Sequence, residues 1–193
     1  ANGASKTSNF TAGAFAITLT DTGNDFTTAR FNNTAAAVQI TDASGLDLGL
    51  SSTDNNLILI VSAGDISDSG VMTVTGTTTI TGSHNANIVL DQTHALTGAI
   101  DINPDGSSAA NRLNNVTVTD STAIILAGDG DFTISGNLTV TSSADISQTN
   151  DLIANGTGKT ATFTTSGAGT IDLTTNGANN DFTNLSLNAA STV

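Results

Sequence analysis

Aliphatic residues recur in this chain with a 22-residue period. One such column holds isoleucine throughout, at Ile58, Ile80, Ile102, Ile124 and Ile146. A second column contains Val74, Leu96, Val118 and Val140, and a third contains Thr53, Thr75, Thr97, Thr119 and Thr141. A repeat of this length indicates a solenoid, in which each unit buries its apolar side chains only by stacking on the next unit.

The pattern inside each repeat is typical of β-strands. Segments such as Thr117-Val118-Thr119 alternate polar and apolar residues, which places successive side chains on opposite faces of a strand. Turn-forming pairs such as Asn155-Gly156 separate these segments. The remaining positions are mostly Thr, Asn, Gly, Ser and Asp, which favour strands and tight turns. We therefore predict an all-β fold, a right-handed parallel β-solenoid (β-helix) with about 22 residues per coil and roughly nine coils.

The repeat predicts a single solenoid domain over residues 1–193. The register is irregular in residues 1–50, where the aliphatic residues fit only with shifts, and regular in residues 51–193. The sequence Asn-Asp-Phe-Thr at 180–183 repeats the one at 24–27. Because the pattern continues to the last residues, we expect uncapped ends that stack on further coils of the same chain or on another copy.

Stacking places each residue one strand spacing from its counterpart in the next coil, about 4.8 Å away. Each column then becomes a ladder of like side chains. The Ile and Val/Leu columns predict the buried core ladder, and the Thr column predicts a ladder of hydroxyl groups on the outer surface.

Charge and composition exclude several classes of function. The net charge is −13 and Lys and Arg total only four, so the chain lacks the cations that nucleic acid and anionic membranes require. No apolar run approaches the roughly 20 residues that span a bilayer, so we expect no membrane insertion. The chain has no cysteine, so no disulfide stabilises it.

Residues 70–81 (GVMTVTGTTTIT) and the triplet Asn180-Asp181-Phe182 carry a resemblance to a known group of proteins. They resemble the repeat regions of filamentous-haemagglutinin-like giant surface adhesins of bacteria. The resemblance implies a parallel β-helix that is exported to the cell surface or secreted, with a structural or adhesive role. Its expected partners are neighbouring coils, copies of the same chain end to end, and a host or matrix surface.

Parallel β-helices also include enzymes that act on polysaccharides, and such sites need carboxylates beside a basic side chain. The basic residues of this chain are Lys6, Arg30, Arg112, Lys159, His84 and His94, and they fall in different columns. We therefore expect no catalysis. His94 lies in an otherwise apolar column with Met72 and Val116, so it is either a core histidine or a switch or ligand.

Calcium is the one cofactor that the sequence suggests. Asp129 and Asp131 lie in one turn, and the 22-residue register places Asp151 directly above them. Three carboxylates at one turn supply the oxygen ligands that calcium prefers. The competing interpretation, which we favour, is that these aspartates accept hydrogen bonds from their own turns and that no cofactor is bound.

Two further functions stay open beside a structural or adhesive segment. A self-assembling filament subunit would pair its open ends by strand addition. A flat array of Thr-x-Thr pairs would instead provide a face for binding ice or glycan, although threonine also suits stacked strands for purely structural reasons.

Overall fold

The computed structural model describes residues 6–104, 112–127, 132–174 and 179–190. Within these residues every regular element of four or more residues is a strand, and none is an α-helix. All of the strand pairings are parallel, and most connect one turn to the next at or close to the 22-residue repeat. The prediction of an all-β parallel β-solenoid is therefore confirmed, with about eight turns of chain.

The strands are numbered in chain order. They are Thr7–Gly13 (β1), Ile17–Leu19 (β2), Thr28–Asn33 (β3), Val38–Asp42 (β4), Leu46–Leu48 (β5), Ser51–Thr53 (β6), Leu57–Val61 (β7), Ile66–Asp68 (β8), Met72–Val74 (β9), Thr78–Gly82 (β10), Ile88–Leu96 (β11), Ile100–Pro104 (β12), Val116–Asp120 (β13), Ile124–Ala127 (β14), Phe132–Ile134 (β15), Leu138–Ser142 (β16), Ile146–Gln148 (β17), Leu152–Ala154 (β18), Ala161–Thr165 (β19), Ile171–Asp172 (β20), Asp181–Phe182 (β21) and Leu185–Ala189 (β22).

Three parallel sheets form the walls of the solenoid. The first sheet contains β1, β3, β5, β6, β8, β9, β11, β13, β16, β19 and β22. The second contains β2, β4, β7, β10, β12, β14, β17 and β20, one strand for each turn, and the third contains β15, β18 and β21. A turn in the C-terminal half therefore passes through all three walls, whereas an N-terminal turn passes through the first two.

The first wall is wider in the N-terminal half of the rod. There two short strands of one turn, such as β8 and β9, pair with the single long strand β11 of the next. On its other side β11 pairs with the shorter strand β13, and a bulge between Leu90 and His94 takes up its extra residues. The bulge therefore marks the level at which the wall narrows.

Aliphatic side chains fill the interior and polar side chains cover it. Strands such as β13 and β16 alternate buried and half-buried residues along their length. In this way Val118 stacks on Val140, and Val140 on Phe163, all three without solvent exposure. Removal of these columns from water is the main favourable term in the stability of the fold.

The predicted isoleucine ladder is wrong at Ile58. The interval between β7 and β10 is one residue shorter than the repeat, so Leu59 is the partner of Ile80 and Ile58 is the partner of Thr79. Leu59 is fully buried and Ile58 is only half-buried. A shift of one residue moves every side chain of a strand to its other face, which explains the exchange.

The 22-residue ladder is also interrupted in the middle of the rod. Ile80 stacks on Ile102, and Ile124 on Ile146. Between them β12 pairs with β14 at a longer interval, with Ile100 opposite Leu126, so Ile102 and Ile124 are buried without being partners. The interval is longer still on the first wall, where Val118 is the partner of Leu90 instead of Leu96.

Leu96, the residue that the sequence places under Val118, is the partner of Val74. Each of these departures has the same cause, because the length of a turn sets the register of the next strand. Turns longer or shorter than the repeat therefore break a ladder that the sequence alone shows as continuous.

Buried polar side chains shape the corner that follows the first wall. Asn33, Thr53, Asp120 and Ser142 are buried at this corner, and each accepts a hydrogen bond from the backbone N–H two residues later. Such bonds replace a backbone turn and are a known use of Asn, Asp, Ser and Thr. Part of the polar content of the chain is thereby assigned to corner formation.

Candidate functional site

The outer surface of the first wall carries a regular array of threonines in its C-terminal half. Parallel pairing stacks Thr117 on Thr139 and Thr119 on Thr141, and the next turn adds Thr162 and Thr164. We call these six residues the Thr face. Neighbouring turns are about 4.8 Å apart and alternate residues of a strand about 6.6 Å apart, which fixes a two-dimensional grid of hydroxyl and methyl groups.

The Thr face is free of charge although the chain is strongly acidic. The outward positions of β13, β16 and β19 are all threonine, and the last turn continues them with Ser186 and Asn188. Threonine has a stiff side chain because it branches at Cβ. The Thr face is therefore a neutral and regular surface on an acidic rod.

The five residues of the predicted Thr ladder do not share this face. Thr119 and Thr141 lie on it, whereas Thr75 and Thr97 are exposed at the corner after the first wall. There the Thr97 hydroxyl donates to the Thr75 carbonyl oxygen at 3.2 Å. Thr53 is fully buried, and the prediction that it points outward is wrong because its partner is Val74 and not Thr75.

Side-chain oxygens also form a continuous ladder at the corner that precedes the first wall. The Asp65 carboxylate accepts from Asn87 N–H at 2.7 Å, and the Asn87 amide oxygen accepts from Asn115 N–H at 3.2 Å. Asn115 then accepts from Asn137 N–H at 2.9 Å, and Asn137 from Thr160 N–H at 3.0 Å. We call these residues the Asn ladder.

The Asn ladder was not predicted from the sequence. Its signal is a polar residue directly before the first aliphatic residue of a strand, as in Asn87-Ile88 and Asn137-Leu138. The uneven intervals between turns hide it from a search at one fixed spacing. The Asn ladder provides a hydrogen-bond acceptor for the backbone N–H groups at this corner. Backbone N–H groups that are shielded from water need such an acceptor.

His94 is the one histidine in the interior. It lies at the bulge of β11 and has no solvent exposure. Its Nδ1 accepts from Met72 N–H at 2.9 Å, so the imidazole proton is assigned to Nε2. Nε2 lies 3.3 Å from Oδ2 of Asp68, whose side chain is equally buried, but the two groups are not aligned as a hydrogen bond.

Burial and charge act in opposite directions on His94. Burial lowers the pKa of the imidazole, while the carboxylates of Asp68, Asp120 and Asp91 raise it, and burial is the larger cause. Burial also raises the pKa of Asp120, against the hydrogen bonds that its carboxylate accepts from Thr122 and Leu96. His94 and Asp120 are therefore two buried titratable side chains, one on each of the neighbouring strands β11 and β13.

The predicted calcium residues lie mostly beyond the described part of the chain. Asp129 and Asp131 are outside the described residues. Asp151 lies within them, where its Oδ2 accepts from the Asn179 side chain at 3.1 Å and its Oδ1 is buried without a hydrogen-bond partner among the described residues. In the described ranges no three His, Cys, Asp or Glu side chains come together as metal ligands do.

Two of the basic residues, Arg112 and His84, form hydrogen bonds to residues of other turns. Arg112 donates through Nη1 to the Asn155 side chain, and Asn155 in turn donates to the carboxylate of Asp181. His84 is exposed and accepts from Arg112 N–H at 3.3 Å. These hydrogen bonds connect residues of four different turns.

The last strand, β22, presents apolar side chains to solvent. Leu185 and Leu187 stand above Ala161 and Phe163 and so continue two core columns. They are 46% and 52% exposed, whereas the residues below them are fully buried. Among the described residues β22 pairs with β19 alone.

These features together define a class of protein, a repeat protein built as a parallel β-solenoid. Residues 3–30, 35–103 and 113–188 match the family described as "Repeats of unknown function (DUF5649)", and the chain belongs to this family. No curated protein and no solved structure matches the chain. In the described ranges no helix is long and apolar enough to cross a membrane.

Proposed function

We propose that this chain is a passive structural rod, a segment of the shaft of an exported bacterial surface protein, and that it catalyses no reaction. The observation that carries the proposal is the first wall, a parallel sheet that runs without interruption from β1 to β22. Hydrogen bonds along such a wall run parallel to the rod axis, so the backbone itself resists bending and local opening.

We propose an extracellular place for this rod on the basis of its resemblance to filamentous-haemagglutinin-like adhesins. The net charge of −13 suits a protein that must stay soluble. The resemblance to filamentous-haemagglutinin-like adhesins adds a role in attachment to a host or matrix surface. We propose no cofactor, since the corner aspartates Asp42, Asp65 and Asp120 already accept backbone N–H donors.

Electron microscopy of the purified chain over a concentration series tests this function. Turns stacked at about 4.8 Å give a rod of roughly 40 Å for the described part. Separate rods of that length at every concentration are expected for a shaft segment. Compact or irregular particles would overturn the proposal, since they would mean that the stacked walls do not form.

A second candidate function is a filament subunit that stacks end to end. It is favoured by the exposure of Leu185 and Leu187 above two buried columns. Fibres that lengthen with concentration would support it, and Leu187→Asp should then abolish them. Asn188→Asp adds the same charge one residue away on an outward position and is the matched control.

A third candidate is binding of ice or glycan by the Thr face. The alignment of Thr139 and Thr141 with the turns on both sides favours it. A thermal hysteresis assay tests ice binding, and a pull-down on insoluble polysaccharide tests glycan binding. Replacing Thr139 and Thr141 by lysine should remove either activity, whereas replacing Thr79 and Thr81 on the second wall should not.

A further inference from the structure

We propose that His94 makes the centre of the rod acid-sensitive: protonation of its Nδ1 breaks the hydrogen bond from Met72 N–H and opens the pairing of β9 with β11. The two strands pair at Ala95–Thr73 and Leu96–Val74, and Thr97 N–H donates to the Val74 carbonyl oxygen directly after them. The bond from Met72 N–H to His94 extends this short pairing by a side-chain link. Because this pairing is short, the loss of one hydrogen bond has a large local effect on it.

The tautomer explains why a proton is not tolerated at Nδ1. A neutral imidazole has one nitrogen that donates and one that accepts. Met72 N–H occupies the accepting nitrogen at 2.9 Å. An imidazolium donates from both nitrogens, so its Nδ1–H would face the Met72 N–H, and the two donors would repel each other.

Three carboxylates surround the imidazole, and two of them are held by other bonds. Asp68, on β8, accepts from Asp91 N–H at 2.9 Å and from Gln92 N–H at 3.1 Å. Asp120, on β13, accepts from Leu96 N–H at 2.7 Å, and Asp91 belongs to the bulge of β11 itself. Asp68 and Asp120 therefore cannot turn toward Nδ1 without releasing N–H groups of the same wall.

The direction of the pH effect follows from the pKa of His94. Burial holds this pKa below its ordinary value of 6.5. The closed pairing therefore binds fewer protons than the opened one as the pH falls below 6.5, and acid favours opening. Within the window between the folded pKa and 6.5, the open fraction should rise by a factor approaching ten for each pH unit.

Amide hydrogen exchange of the complete chain, measured by NMR between pH 7.5 and pH 5, tests the proposal. The readout is the protection of the Met72 amide after correction for intrinsic exchange. Val140 N–H, on a strand that lies between two regular neighbours, is the internal reference. The two histidines of the chain allow matched variants, His94→Gln and the exposed His84→Gln.

We expect the protection of Met72 in the wild type and in His84→Gln to fall severalfold toward pH 5 while that of Val140 stays constant. In His94→Gln the pH dependence should vanish, because glutamine offers an accepting oxygen that does not titrate in this range. Equal pH dependence in the wild type and His94→Gln would overturn the proposal.

Should His94→Gln fail to fold, the ¹⁵N shifts of the imidazole in the wild type decide the matter. They should report an unprotonated Nδ1 at neutral pH, and protonation of Nδ1 in step with the loss of Met72 protection. A protonated Nδ1 at neutral pH, or a titration without any change at Met72, would also overturn it.

Discussion

The register of β7 offers a direct test of the fold. The 22-residue repeat places Ile58 in the core, whereas the structure places Leu59 there and leaves Ile58 half-buried on the outer face. Truncation of each residue to alanine separates the two arrangements. Leu59 is fully buried in the stack between Ile40 and Ile80, so its truncation leaves a cavity in the middle of a column.

Leucine-to-alanine changes at such sites cost about 2–5 kcal/mol, the loss of transfer free energy plus the cavity. With a urea m-value of about 2 kcal/mol per molar, a cost of about 3 kcal/mol lowers the unfolding midpoint by about 1.5 M. Ile58→Ala removes an outward side chain, whose contribution to a strand is at most about 1 kcal/mol. Its midpoint should therefore shift by less than about 0.5 M.

Urea unfolding followed by far-ultraviolet circular dichroism measures both midpoints. A second probe of tertiary structure should give coincident transitions, because a stacked array does not always unfold in one step. A larger shift for Ile58→Ala than for Leu59→Ala would refute the assigned register and restore the 22-residue column. Equal and small shifts would mean that β7 is not part of the packed core.

Three further results are expected. Asn137→Ala leaves Thr160 N–H without its acceptor and should lower the free energy of unfolding by about 0.5–1.5 kcal/mol, against no measurable change for the exposed Ser143→Ala. Hydrogen bonds from the backbone N–H and hydroxyl of Thr170 hold the pKa of Asp145 below its usual range, so Thr170→Val should raise that pKa toward its ordinary value in an NMR titration. A carboxyl group whose pKa is lower in the folded state stabilises the fold at any pH above its pKa in the unfolded state. This stabilisation by Asp145 should be lost as the pH falls through the folded pKa, and it should be smaller in Thr170→Val. Thermal unfolding should occur at the same temperature in EDTA and in calcium, and a clear rise with calcium would revive the site at Asp151.

The sequence predicts the architecture because the apolar columns repeat over many turns. Any one turn can depart from the common length without hiding the period, so the parallel solenoid is evident although Ile58 and Thr53 are assigned to the wrong face. Individual contacts depend on the register of each turn, and a single residue reverses the face. The longer interval that pairs Ile88 with Val116 cannot be inferred from a column of fixed spacing.

The environment of His94 also shows that the sequence predicts the burial of a residue better than its contacts. Its sequence position beside Met72 in a column of apolar residues correctly suggests an interior histidine. Its contacts with Asp68 and Asp120 arise from the bulge in β11 and from the narrowing of the wall at β13. Neither the bulge nor the narrowing has a sequence signature, because both arise where neighbouring turns differ in length.

The polar residues that dominate the composition fall into two groups with different meanings. Those of the Asn ladder and the corner that follows the first wall satisfy backbone groups that every turn leaves unpaired, so any solenoid of this kind needs them. The threonines of the Thr face lie on strands and not at these corners. If the strands required only β-branched side chains, valine or isoleucine would serve equally well. Selection of a hydroxyl at all six positions, on a face without charge, is consistent with a surface that must stay wetted and regular. The binding assays proposed for the Thr face and the hydrogen-exchange assay proposed for His94 therefore test two separate parts of the rod.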